Sequence, residues 1–224
     1  MHALCNLRAL AAVLILVAAP LAGGAGTLRI VALGDSLTAG YGLPADQGLV
    51  PRLQAWLDAR GADALLVNAG VSGDTTAGAR ARLDWALGDG ADALIVTLGG
   101  NDMLRGLPPA EARANLADIL ATARTRGLPV LLVGMKAPAN WGPEYKTAFD
   151  AIYPELAREY DALLFPDFFA GLAAQGADMA DPASLARWMQ PDGIHPGSEG
   201  VQAIAGALGP AVLELIARAR AAGK

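Results

Sequence analysis

Four short runs of almost uninterrupted apolar residues punctuate the chain: Leu28 to Leu33, Ala64 to Asn68, Ala91 to Leu98, and Pro129 to Met135. A weaker fifth runs from Ala162 to Phe165. Each is bounded by Gly, Asn, Asp or Pro, and continuous rather than alternating apolar strands imply burial on both faces. Between the runs the period becomes helical. Leu49, Leu53, Trp56 and Leu57 share one face, as do Ala112, Leu116, Ile119, Leu120 and Ala123 in a segment that follows Pro108-Pro109, where a helix can begin. The last helical segment aligns Val201, Ile204, Ala205, Leu208, Val212, Leu215 and Ile216 on its buried side. Strand and helix therefore alternate, which forces crossover connections and predicts an α/β fold with a mostly parallel sheet covered on both sides by helices. No fixed-period repeat and no Ser/Pro-rich linker divides it, so one domain is expected. In such sheets ligands bind beyond the carboxyl ends of the strands, which directs attention to the residues after each strand.

The first 25 residues stand outside this alternation. Arg8 precedes an unbroken apolar stretch from Ala9 to Ala19, followed by Pro20 and small residues through Ala25 and Gly26. An 11-residue apolar core with this tail reads as a secretory signal peptide over 1–25, leaving 26–224 as the domain. Cys5 lies before the apolar core and cannot be the acceptor cysteine of a lipoprotein signal. Export predicts a periplasmic or secreted product.

Removing that segment changes the chemistry available, because Cys5 and His2 leave with it. One histidine, His195, and no cysteine remain. This excludes disulfide frameworks, cysteine nucleophiles, zinc fingers and multi-histidine metal sites. The mature charge is 16 basic against 22 acidic residues, or -6, since Arg8 is the only charge lost. Nothing in it supplies the basic stripe that holds nucleic acid. Although 54% of the residues are hydrophobic, no apolar run reaches the roughly 20 residues of a membrane span, so no stable membrane insertion is expected. With no long exposed apolar stripe, the expected state is a monomer.

Four segments at the strand ends carry polar residues of interest. Gly34-Asp35-Ser36-Leu37 follows the first strand, where Ser36 is either a helix cap or an exposed nucleophile. Asn68 to Asp74 contains Gly70 and Gly73, which let a backbone N–H approach a ligand or simply make a turn. Gly99-Gly100-Asn101-Asp102 presents an Asn amide that either closes an Asx turn or donates to a developing oxyanion. Asp192-Gly193-Ile194-His195 sets a carboxylate three residues before the histidine, as a surface turn or as an orienting pair. Together they supply a nucleophile, a base, an orienting carboxylate and two kinds of oxyanion donor. The Gly-x-Ser-x-Gly elbow of α/β-hydrolases is absent from the sequence.

These blocks resemble the SGNH, or GDSL, hydrolase family, in order: Gly34-Asp35-Ser36-Leu37, Gly73, Gly100-Asn101-Asp102, then Asp192 and His195. Val67-Asn68-Ala69, Gly73-Asp74-Thr75, Ala151-Ile152-Tyr153-Pro154, and Trp188-Met189-Gln190 leading to His195-Pro196 look like its secreted bacterial thioesterase I, protease I, lysophospholipase L1 and arylesterase branch. The resemblance implies a three-layer α/β/α sandwich around a five-stranded parallel sheet in flavodoxin-like order. It implies ester or thioester hydrolysis with Ser36 as nucleophile, His195 as base and Asp192 as its orienting carboxylate. The oxyanion donors would be the N–H groups of Ser36 and Gly73 and the amide of Asn101, with no metal and no cofactor. Asp35 and Asp102 are expected to brace turns, and Ser72 is a rival nucleophile only by residue type.

Likeness to the same relatives places an acyl groove at Lys136 to Gly142, with Ala137, Pro138 and Trp141 lining it and Tyr145 nearby. Those relatives carry a larger aliphatic residue at the position of Ala137, so its small side chain predicts a preference for short or medium acyl chains and aryl esters. An acyltransferase using the same serine, and a non-catalytic lipid- or carbohydrate-binding module, are the rival readings. A flavin or nucleotide binder lacks its phosphate-binding signature.

Overall fold

The computed structural model describes residues 26–88, 90–178 and 181–224, so the expected signal peptide lies outside the described residues. The chain runs β1 (Leu28–Gly34), α1 (Ser36–Ala39), α2 (Leu49–Asp58), β2 (Ala64–Gly70), α3 (Thr76–Ala81), α4 (Leu83–Leu87), β3 (Ala93–Thr97), α5 (Gly100–Leu104) and α6 (Pro109–Thr125). It continues through β4 (Val130–Val133), a 3-10 turn at Ala139–Trp141, α7 (Pro143–Tyr160), β5 (Leu163–Phe165), α8 (Ala170–Ala174), α9 (Pro182–Leu185) and α10 (Ser198–Ala221). All five strands pair in parallel in the order β2-β1-β3-β4-β5.

The uninterrupted apolar runs divide between two cores because successive side chains of a strand point to opposite faces. Leu28, Ile30 and Ala32 of β1 join Ile95, Leu131 and Val133 against α2, α8 and α10. Val31 and Leu33 join Leu94, Val96 and Leu132 against α3, α4, α6 and α7. The result is a three-layer α/β/α sandwich. β2 departs from the reading of burial on both faces: as an edge strand it leaves Leu65 53% exposed and Asn68 exposed, and it extends to Gly70.

The helical stripes are buried as their spacing predicts, except that Trp56 and Ile216 are half-buried. Trp56 reaches its partner helix all the same, because its ring lies against Gly209 of α10, where any Cβ would collide with the indole. By length and composition alone α10 is long and apolar enough to cross a membrane, although Glu199, Gln202 and Glu214 interrupt its apolar residues. Here its stripe, from Gly200 and Val201 to Leu215 and Ala219, is buried and packs in the core of the sandwich.

The topology positions the site. From β1 the chain leaves toward β2, and from β3 it leaves in the opposite direction toward β4. The connections after β1 and β3 therefore diverge and open a crevice at the carboxyl edge of the sheet.

Candidate active site

Ser36 is the first residue after the turn that ends β1. The Asp35 carboxylate caps α1, with Oδ1 accepting from the Leu37 N–H at 3.0 Å, so strand converts to helix across one residue. As the first helical residue, Ser36 has an N–H that no intrahelical carbonyl reaches. The helix closes after one turn at Gly40, whose φ of 85° and N–H to Ser36 O bond of 3.1 Å terminate it. The Ser36 hydroxyl is left half-buried at the strand edge.

His195 meets it across the crevice, with Nε2 2.9 Å from Ser36 Oγ. Its Nδ1 lies 2.6 Å from Asp192 Oδ2. Asp192 is set by its own loop, Oδ1 accepting from the N–H groups of His195 at 3.0 Å and Ile194 at 2.9 Å. These bonds, led by the His195 N–H, hold the Asp192 carboxyl down to about 2, so it is a carboxylate throughout the neutral range. With Asp192 ionised, Nδ1 is the protonated nitrogen and Nε2 is left to accept from the serine. Ser36, His195 and Asp192, expected together, are brought into one hydrogen-bonded row.

The histidine loop is tied to the serine turn by residues that spacing did not reveal. Gln190 Nε2 donates to Tyr41 O at 2.8 Å and to Pro196 O at 3.1 Å, and Gln190 N donates to His195 O at 2.8 Å. The Tyr41 ring lies 4.6 Å from the imidazole. Gln190 is separated from Tyr41 by 149 positions, and a lone glutamine in a loop carries no periodic or motif signal.

On the other side of Ser36, α5 grips the segment after β2 through three side chains. Asn101 Nδ2 donates to Asp74 O at 2.9 Å and lies 3.4 Å from Asp35 Oδ2. Asp102 accepts from Thr76 N at 2.8 Å and from Thr76 Oγ1 at 2.6 Å. Arg105 Nη2 donates to Gly73 O at 2.8 Å. Asp35 thus braces its own turn, whereas Asp102 braces a distant helix start. Asp74 is in turn paired with Arg82, whose Nε lies 2.6 Å from Oδ2 and whose Nη2 donates to Gly34 O at 3.1 Å. Gly73, at φ 87°, faces the same crevice; Ser72 lines it too, but its exposed hydroxyl has no hydrogen bond to a base among the described residues.

α5 is itself fixed from below by an aromatic column. Trp141, Tyr145, Phe149 and Tyr153 recur every four residues, with ring centroids 6.2, 6.0 and 5.9 Å apart. Trp141 Nε1 donates to Met103 O at 2.9 Å, Tyr145 Oη to Leu107 O at 3.0 Å, and Tyr153 Oη to Leu98 O at 2.9 Å. The i, i+4 spacing was the sequence signal that could have exposed this role.

A cavity of about 490 Å³ surrounds Ser36, His195, Gly73 and Asn101. Its apolar wall includes Leu37, Met103, Leu104, Met135, Met189 and Ile194, and Pro138 lines it as expected. Ala137 does not: it is 2% exposed and packed in the core against α7, its N–H bonded to Asp150 Oδ1 at 2.8 Å and its carbonyl to Lys146 Nζ at 2.6 Å. That loop turns its alanine inward because both of its backbone polar groups are claimed by α7. Trp141 and Tyr145 likewise hold the Met103 to Leu107 segment and do not line the cavity. Among the described residues no cluster of three His, Cys, Asp or Glu side chains could hold a metal ion.

A hydroxyl, an imidazole and a carboxylate in one hydrogen-bonded row can carry out nucleophilic acyl chemistry. The chain is similar to known proteins. The esterase TesA of Pseudomonas aeruginosa is 43% identical over 169 residues, 75% of this chain and 79% of that protein. Thioesterase 1/protease 1/lysophospholipase L1 of Escherichia coli K12 is 39% identical over 176 residues, 78% of this chain and 77% of that protein. The crystal structure of AlinE4, an SGNH-hydrolase family esterase, superposes with a TM-score of 0.67 at 44% identity, covering 85% of this chain and 97% of AlinE4. The family model of GDSL-like lipases and acylhydrolases matches residues 32–203, from within β1 into α10, and the chain belongs to that family.

Proposed function

We propose that this chain hydrolyses carboxylic esters and thioesters through a covalent acyl-enzyme on Ser36. The observation that carries the reading is the row Ser36 Oγ, His195 Nε2, His195 Nδ1 and Asp192 Oδ2, at 2.9 and 2.6 Å, opening on an apolar cavity. Ser36 Oγ attacks the carbonyl carbon as Nε2 takes its proton, and Asp192 stabilises the imidazolium. The carbonyl oxygen becomes an oxyanion facing the N–H groups of Ser36 and Gly73 and the Asn101 amide. Collapse expels the alcohol or thiol, which leaves with the proton from Nε2. Water then attacks the acyl-enzyme, giving its proton to Nε2, and the second collapse releases the acid and returns that proton to Ser36.

The apolar wall favours acyl and aryl groups, in keeping with relatives named esterase, arylesterase and thioesterase. Export to the periplasm or medium and a monomeric state belong to the same reading, resting on the pattern of residues 1–25 and on the absence of a long apolar surface stripe from the sequence.

The test is hydrolysis of p-nitrophenyl esters from C2 to C16 by the protein lacking residues 1–25, beside Ser36→Ala and Asn101→Ala. Saturable turnover abolished by Ser36→Ala and cut about a hundredfold or more by Asn101→Ala is expected. Turnover that survives Ser36→Ala overturns the reading.

A further inference from the structure

We propose that Arg105 is a positioning residue for the oxyanion site, holding the Gly73 turn in register with Asn101. The inference rests on the reading of Gly73 and Asn101 as oxyanion donors given above. Residues 71–74 form a tight turn, closed by the Asp74 N–H on Val71 O at 3.1 Å, with Gly73 at φ 87° in its third position. That positive φ is the type II arrangement, in which the central peptide, the one carrying the Gly73 N–H, is flipped relative to type I. Glycine permits the flip but does not hold the turn in place. Val71 N is anchored on Gly34 O at 3.0 Å before the tip, and Asp74 O is anchored by Asn101 after it. The tip itself, Ser72 and Gly73, is exposed, and the one hydrogen bond it receives from outside the turn, among the described residues, is from Arg105.

Arg105 caps the carboxyl end of the short helix that carries Asn101, so two of the three expected donors, Gly73 and Asn101, are set from one element. A planar guanidinium reaches the carbonyl as a charge-assisted donor and fixes both distance and direction. Without it the turn keeps its ends but its tip swings, and the Gly73 N–H points at the oxyanion for only part of the time. The ground-state ester, which needs little from that donor, binds as before; the tetrahedral state does not.

The experiment compares wild type with Arg105→Met, which keeps the apolar stem but no donor, and Arg105→Lys, which keeps a donor. Three quantities are read with neutral p-nitrophenyl butyrate and with an alkylboronic acid whose serine adduct places an anionic oxygen in the hole. Arg105→Met is expected to lower kcat about tenfold, part of the full loss of one donor, with KM changed less than about twofold and boronate affinity reduced in parallel. Arg105→Lys is expected to recover most of both, with unchanged urea unfolding midpoints in each variant. If the Met variant's midpoint shifts, Arg105→Leu, which also lacks a donor, supplies the same comparison.

An unchanged kcat overturns the proposal. So does a fall in kcat without a fall in boronate affinity, or a rise in KM alone, which would make Arg105 a substrate contact. Failure of the underlying reading shows separately, with Arg105 intact, as turnover that survives Ser36→Ala or a kcat and boronate affinity that Asn101→Ala leaves unchanged.

Discussion

The Asp35 carboxyl sits behind the serine turn with Oδ2 3.4 Å from Asn101 Nδ2, so a buried acid touches the side chain expected to receive the oxyanion. Asp35 is 1% exposed, and burial pushes its carboxyl up to about 6 from 3.8, against the lowering effect of the Leu37 N–H. That difference corresponds to about 3 kcal/mol.

The folded chain therefore binds this proton more tightly than the unfolded chain. The stability tied to it is complete below about pH 3.8 and is lost as pH rises through about 6. Relative to Asp35→Asn, which has no such titration, wild type is expected to lose roughly 2 kcal/mol of unfolding free energy between pH 4 and 7. Urea melts at each pH measure it, and a flat difference between the two proteins would sink the assignment.

Gly99 precedes α5 at φ 111°, and any Cβ there would collide with Tyr153 Oη. Gly99→Ala is expected to cost about 2 kcal/mol or more, from strained backbone and steric overlap together, and to lower kcat by displacing Asn101. Tyr153→Phe alone leaves the Leu98 carbonyl without its donor and should cost about 1–2 kcal/mol. Because removing the hydroxyl relieves the clash, the double variant should be less destabilised than the sum of the two. Strict additivity in urea midpoints would show that the clash is absorbed elsewhere.

Ala137 gives opposite expectations for a groove residue and a core residue. Buried as it is, Ala137→Leu should overpack the face against α7 and cost about 1–3 kcal/mol while leaving the C2 to C16 profile unshifted. Unchanged stability with better kcat/KM on C14 to C16 esters would return the residue to the groove.

That residue also shows where sequence reading stops. Runs such as Leu28 to Leu33 and the stripe of α6 announce themselves because burial on two faces or one leaves a period in the residue types. Ser36, Asn101, Asp192 and His195 could be singled out because each stands at a strand end or loop where few residue types do chemistry. Which way Ala137 faces depends on Lys146 and Asp150 claiming its backbone groups, a tertiary fact without periodicity. The same holds for Gln190 reaching Tyr41 and for Arg82 and Arg105 reaching carbonyls, since long polar side chains are at home on any surface and their targets are main chain. Tyr153 enters the sequence reading only as part of a likeness, although Trp141, Tyr145, Phe149 and Tyr153 stand four residues apart in succession.

The Ser36 to His195 contact joins residues 159 positions apart. Synthesis runs from the amino terminus, so a growing chain presents its hydroxyl long before the imidazole it pairs with exists. The loop that carries His195 comes late and is followed by α10, which covers one face of the sheet. Nearly the whole polypeptide must be made before the serine gains its partner. With the roles proposed for Ser36 and His195, hydrolytic competence is an end-of-line property of this topology.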